Sequence, residues 1–152
     1  CDSTNSEMGH NSSNVGIVSL ENGQLELYVN FRYINNCEYK EVLASIKEAN
    51  SCFDLEIEDH DPILYYSQDS ELVTTLLKSY QNETGDYESK PLAIGGGTYA
   101  KCANNVVAFG MQFPGWDSLM HSPGEKTKKE DLFKSMSIYA RAIYELGELL
   151  KK

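Results

Sequence analysis

The glycine run Gly95-Gly96-Gly97, followed by Thr98, and the loop sequence His121-Ser122-Pro123 are the parts of this chain whose residue types and spacing could do chemistry. Consecutive glycines let the backbone adopt positive φ and come close to a ligand. A histidine two residues before a proline can be held in a loop as a metal ligand. Taken alone, the glycine run reads as a tight turn and His121 as an ordinary surface or packed histidine. A hydrolytic zinc site needs about three protein ligands and an open position for water, and the histidines here are His10, His60 and His121. No H-E-x-x-H helix, phosphate-binding loop, G-x-S-x-G elbow or dinucleotide fingerprint is present. The carboxylates Glu56, Glu58, Asp59 and Asp61 around His60 sit largely at alternating positions and read as a solvated edge.

These residues need elements to place them. Residues 15–20 and 24–33 are apolar strand candidates separated by Glu21-Asn22-Gly23, and Asn-Gly between such runs predicts a type I′ hairpin. Along the second arm Leu25, Leu27, Val29 and Phe31 alternate with Glu26, Tyr28, Asn30 and Arg32, so the strand should bury one face and turn Arg32 away from the core. Tyr39, Val42, Leu43 and Ile46 predict a helix over 38–49, and the alternation of Phe53, Leu55 and Ile57 predicts a third strand. The order strand, strand, helix, strand is that of a split βαβ domain lacking its first strand and helix.

His60-Asp61-Pro62 marks a boundary, because the residue before proline is driven out of the helical region. A helix over 70–84 follows, stopped by Gly85, then short strands at 91–94 and 105–110 flanking the glycine loop. Thr127-Lys128-Lys129-Glu130 has the form of a capping box that would start the last helix. In that helix Leu132, Met136, Tyr139, Ile143, Leu146 and Leu150 form a stripe, better read as a helix laid on a sheet than as a coiled coil. The expected fold class is α/β, with residues 1–13 a loose lead-in, 14–60 one unit and 61–152 another.

The formal charge of −10 and pI near 4.7 oppose nucleic-acid binding and anionic membrane surfaces. No apolar run reaches the roughly 18 residues of a membrane span. The four cysteines, Cys1, Cys37, Cys52 and Cys102, contain no C-x-x-C pair, which suits a reducing compartment, with the cytoplasm as the expected location. The sequons Asn11-Ser12-Ser13 and Asn82-Glu83-Thr84 read as chance.

From Asp61 to Leu150 the chain resembles the C-terminal end of the zinc-dependent dipeptidases related to dipeptidase V, which belong with carnosinase, acetylornithine deacetylase and succinyl-diaminopimelate desuccinylase. The stretches that carry the resemblance are Gly95-Gly96-Gly97-Thr98-Tyr99-Ala100, Val107-Ala108-Phe109-Gly110, Phe113-Pro114-Gly115, His121 to Glu125, and Asp131-Leu132-Phe133 leading into Ile138-Tyr139-Ala140. Upstream, Asn14-Val15-Gly16-Ile17 and Asn30-Phe31-Arg32-Tyr33 resemble it too.

The resemblance implies that residues 14–60 are the last part of a lid domain and 61–152 the last part of a catalytic domain. It implies a parent hydrolysing short peptides at two zinc ions, with His121 as the final metal ligand and every other ligand and the general base outside this chain. It further implies that Arg32 grips the substrate carboxylate, that Asn14 faces the substrate, and that Gly96, Gly97 and Thr98 lie against its C-terminal end. The family usually has asparagine where Gly124 stands and often arginine where Lys101 stands. On this reading the chain has no catalytic residue of its own and is inactive without the missing N-terminal part of the catalytic domain, its expected partner. The alternative is a non-catalytic association module, or a decayed gene product, using the acidic sheet and the long last helix.

Overall fold

A computed structural model of the chain describes residues 4–5, 7–110, 112–117 and 119–151. Residues 1–3 and 6 of the expected lead-in, Cys1 among them, lie outside the described residues. The chain is of mixed α and β type, and it divides into two compact units. The first comprises Cys1–Tyr65 and Leu92–Gly96, the second Tyr66–Pro91 and Gly97–Lys152. The first two glycines of the run therefore belong to the unit that holds Arg32.

In the first unit the short strands Thr4–Asn5 (β1) and Gly9–His10 (β2) pair antiparallel, so the lead-in is more ordered than its composition implied. Ser12–Glu21 (β3) and Gln24–Arg32 (β4) form the expected hairpin. Its turn residues Asn22 and Gly23 have φ of 52° and 81°, the pair of positive values that a type I′ turn requires. The pairing runs Leu20 with Leu25 and Val18 with Leu27, shifts at Gly16, and resumes with Val15 opposite Val29 and Asn14 opposite Asn30. That extra residue matters because side chains alternate with period two. It sets Val15 on the same face as Val18 and Leu20, and it brings Asn14 and Ser12 to the face of Asn30 and Arg32.

The apolar face of the hairpin is not buried, contrary to the sequence expectation: Val18, Leu20, Leu25, Val29 and Phe31 are all exposed. Nor do residues 53–57 form a third strand; Phe53 and Ile57 are exposed and the segment has no regular structure. Alternation encodes an extended segment with one apolar side, but a strand also needs a neighbour to pair with. The helix Tyr39–Ala49 (α1) forms as expected, and the core of this unit is Ile34, Cys37 and Val42, with Met8, Tyr33 and Ile46 packed on it. Asn11 ties the chain to that core by accepting from Ile34 N at 3.0 Å. Cys52 and Cys102 are exposed free thiols, whereas Cys37 is buried and disulfide-bonded, a bond that the spacing of the cysteines did not lead one to expect.

In the second unit Glu71–Thr84 (α2) starts at Ser70, whose side chain accepts from Val73 N, and stops at Gly85 with φ 72°. The last helix, Lys129–Leu149 (α3), packs against α2. The expected capping box is not made: the N-cap is Lys128, without a side-chain cap bond. Lys128 is extended there and its ammonium lies 4.1 Å from the centre of the Trp116 ring, a cation–π contact that fixes the entry of the helix instead.

The buried face of α3 also differs from the one its pattern promised. Ser135, Ile138 and Ala142 are buried, opposite the α2 core residues Leu76 and Ser79, while Leu132, Met136, Ile143 and Leu150 of the apolar stripe are exposed. At about 100° per residue the two faces stand roughly a quarter-turn apart. Small residues let the helices approach, and the buried hydroxyls of Ser79 and Ser135 are satisfied by the carbonyls one turn back, Thr75 O at 2.9 Å and Asp131 O at 2.8 Å. Of the stripe, Tyr139 is engaged: its hydroxyl donates to Phe109 O at 3.0 Å and its ring meets Phe109 edge-on. The expected strands at 91–94 and 105–110 are absent, since among the described residues neither segment has a strand partner.

Past Gly85 the chain is held by Asp86, whose carboxylate accepts from Ser89 Oγ at 2.6 Å, Tyr80 Oη at 2.7 Å and the amides of Ser89 and Glu88. The Ser89 hydroxyl, then the Tyr80 hydroxyl and the Ser89 amide, hold this carboxyl down at about 2, below its ordinary 3.8. A depressed carboxylate contributes stability that is complete above its unfolded value and is lost as pH falls through the folded one. The thermal midpoint should therefore fall between about pH 4 and pH 2, and Asp86→Asn should flatten that fall. An unchanged pH profile of the variant in a thermal melt would show that the network is not coupled to folding.

Candidate functional site

Arg32 ends β4, and its side chain is exposed on the polar face of the hairpin. Position 30 lies on the same face, and Arg32 Nε donates to Asn30 Oδ1 at 3.3 Å. Ser12, Ser13, Asn14, Asn30 and Arg32 line an open concavity of about 330 Å³ at this end of the hairpin. Asn14 and Arg32, singled out separately in the sequence, are thus brought together. They meet because the bulge at Gly16 moves Asn14 across the ribbon.

The glycine loop meets the same arginine. A β-carbon on Gly95 would stand 2.6 Å from Arg32 Nη1, so the guanidinium lies directly on the bare backbone of this residue. Gly96 has open space where a side chain would be. Thr98 accepts from Ala100 N at 3.3 Å and caps the short 3-10 helix Tyr99–Cys102, so its oxygen is partly committed to the turn. Gly97 and Thr98 belong to the second unit, as does His121.

His121 is exposed and sits in a loop with φ of 60°, following Leu119 at 56°. Residues other than glycine are uncommon in this region, histidine being among those that enter it most readily with asparagine and aspartate. The loop is braced by Ser122 N to Leu119 O at 2.9 Å, Glu125 N to Ser122 O at 3.1 Å, and Leu119 N to Asp117 Oδ1 at 2.9 Å. Gly124, with φ 84°, occupies a conformation that asparagine also tolerates, so the departure from the family pattern there is compatible with the turn.

His60 does not join its acidic neighbours in a metal site. Its ring stacks on Tyr39 at 3.7 Å between centroids, its Nε2 lies 2.8 Å from Tyr33 Oη, and its amide donates to Asp59 Oδ1. Burial first, then Tyr39, Glu38 and Asp61, push the Tyr33 phenol above its ordinary value, so its hydroxyl keeps its proton. Among the described residues no group of three or more His, Cys, Asp or Glu side chains is arranged to hold a metal ion, and no helix is long and apolar enough to cross a membrane.

Sequence reasoning missed Gly95 and Asn30 as partners of Arg32. The spacing of Asn30 from Arg32, two residues along one strand face, was a readable signal. The approach of Gly95 was not, because it joins positions far apart in sequence.

No family model matches the chain. It is similar to a protein named "Putative dipeptidase" of Staphylococcus haemolyticus, 39% identical over 142 residues. Proteins of the same name from Staphylococcus saprophyticus and Staphylococcus aureus are 36% and 33% identical. Each match takes in 91% of this chain, but the chain spans about 30% of the length of these relatives. The similarity is thus to one part of dipeptidase-like proteins.

Proposed function

We propose that this chain is the C-terminal part of a zinc dipeptidase that hydrolyses short peptides, with Arg32 holding the substrate carboxylate and His121 supplying one ligand to the metal site. The observation that carries the reading is the convergence of Arg32, Asn30, Asn14 and Gly95 at one end of the hairpin, in a chain that resembles a third of dipeptidase-like proteins. A guanidinium offers a carboxylate two parallel charge-assisted hydrogen bonds. The amide side chains of Asn14 and Asn30 and the hydroxyl of Ser12 add neutral donors around it.

For the metal, the exposed imidazole of His121 on its braced loop fits as one nitrogen ligand, the others lying outside the described residues. Zinc, when bound, supplies a water acidified toward neutral pH and polarises the scissile carbonyl. What this chain contributes is position: the peptide's carboxylate end held at Arg32, with Gly96 as a further contact. The uncovered apolar surfaces on the hairpin and α3 are those a fragment would leave bare. They equally suit the second reading, an association module without catalysis, and zinc binding by the protein that carries this segment separates the two.

The chain by itself is expected to release no amino acid from dipeptides above background with zinc, manganese or cobalt, because one histidine does not hold a hydrolytic metal. Turnover that copurifies with the chain and disappears in His121→Ala would overturn the proposal that the remaining ligands lie elsewhere.

A further inference from the structure

We infer that Gly95 and Asn30 are positioning residues for Arg32, together fixing its guanidinium so that Nη1 and Nη2 present an end-on pair of donors to one carboxylate. This rests on the proposal that Arg32 captures the substrate carboxylate. An exposed arginine at the end of a two-stranded ribbon would otherwise sample many rotamers, and holding it in one costs side-chain entropy. Two restraints act here. Asn30 Oδ1 accepts from Nε at 3.3 Å, which occupies the side-on edge of the guanidinium and leaves the Nη1 and Nη2 edge for a ligand. The backbone of Gly95 supports the other side.

The reason for glycine at 95 is specific. Its φ does not lie in the left-handed region, so the backbone itself would accept an L-residue. What forbids a side chain is Arg32: a Cβ would stand 2.6 Å from Nη1, 3.6 Å from Cδ and 3.7 Å from Cζ. The obstructing atom is the far end of a flexible, exposed side chain, so alanine at 95 would leave the fold intact and displace the guanidinium. Misplacing a binding group by about 1 Å is enough to cost much of what it contributes.

The chain contains only two arginines, Arg32 and Arg141, which makes the test direct. Arg141 is paired with Glu83 and serves as an internal reference. The 15N-labelled chain would be titrated with glycylglycine, and with glycylglycinamide as a probe lacking the carboxylate, while the two Nε–H resonances are followed. The expected result is a saturable shift of the Arg32 resonance with glycylglycine alone and none at Arg141. Gly95→Ala and Asn30→Ala should each weaken that response by about fivefold or more, with the backbone amide spectrum and thermal midpoint unchanged. Wild-type affinity in both variants would overturn the positioning role while leaving capture by Arg32 standing. No saturable Arg32 response in the wild-type chain would remove capture by Arg32, and the positioning role with it.

Discussion

In a full-length enzyme carrying this segment, His121→Ala is expected to lower kcat/KM on the order of 10³-fold or more and to reduce the bound zinc, because the water the metal acidifies is lost with the metal. The loop makes the experiment interpretable. His121 lies in the left-handed region at φ 60°, between hydrogen bonds that close the turns on either side of it. Alanine would remove the imidazole and suit the left-handed backbone less well, whereas asparagine suits the conformation and also lacks the imidazole. If the loop geometry alone mattered, His121→Asn would retain activity. If the ligand matters, both variants fail alike. Metal analysis decides the assignment: a His121→Ala enzyme with its full zinc content would show that this histidine is not a ligand.

The second large effect is expected at Arg32. Removing a charged, bidentate partner of a carboxylate costs about 1.5–3 kcal/mol, or about 10- to 100-fold in kcat/KM. The loss should fall mainly on KM, because the carboxylate takes no part in the bond change and is held in the ground state as well as in the transition state. Arg32→Lys should fall between, since lysine keeps the charge and gives up the fork. Steady-state kinetics on a dipeptide and on its C-terminal amide provide the check. The amide lacks the charge, so Arg32→Ala should penalise the dipeptide far more than the amide. Equal penalties for both would place Arg32 in the framework of its unit rather than against the substrate.

These two residues sit in separate units, and the structure shows why each unit is built as it is. In the first, the bulge at Gly16 divides the hairpin so that apolar residues share one face and Asn14, Asn30 and Arg32 the other. In the second, α2 and α3 close on each other through Ser79, Ser135 and Ala142. Both leave apolar surface uncovered, on the hairpin face and along Leu132, Met136, Ile143 and Leu150. Such surface is what a segment one third the length of its relatives would turn toward the rest of a larger core.

The sequence by itself determined the elements whose causes are local. Asn22-Gly23 set the hairpin turn because both positions need positive φ, Ser70 and Gly85 bounded α2, and the period of apolar residues placed α1 and α3. Its resemblance to the dipeptidases also singled out Arg32, Asn14 and His121. Only the tertiary structure decided the rest. Residues 53–57, 91–94 and 105–110 carry strand-like patterns yet form no strands, because a ladder's hydrogen bonds belong to two segments and the pattern describes one. The stripe on α3 marked one face for burial, while the helix that packs on it among the described residues, α2, covers the small residues a quarter-turn away. The last helix starts at Lys128 rather than Thr127, and the Lys128 ammonium lies over the ring of Trp116, a contact that the local pattern does not record. Gly95 was chosen as the seat of Arg32 by the same kind of cause: a contact between far positions is set by the path of the chain, and no local signal in either segment records it.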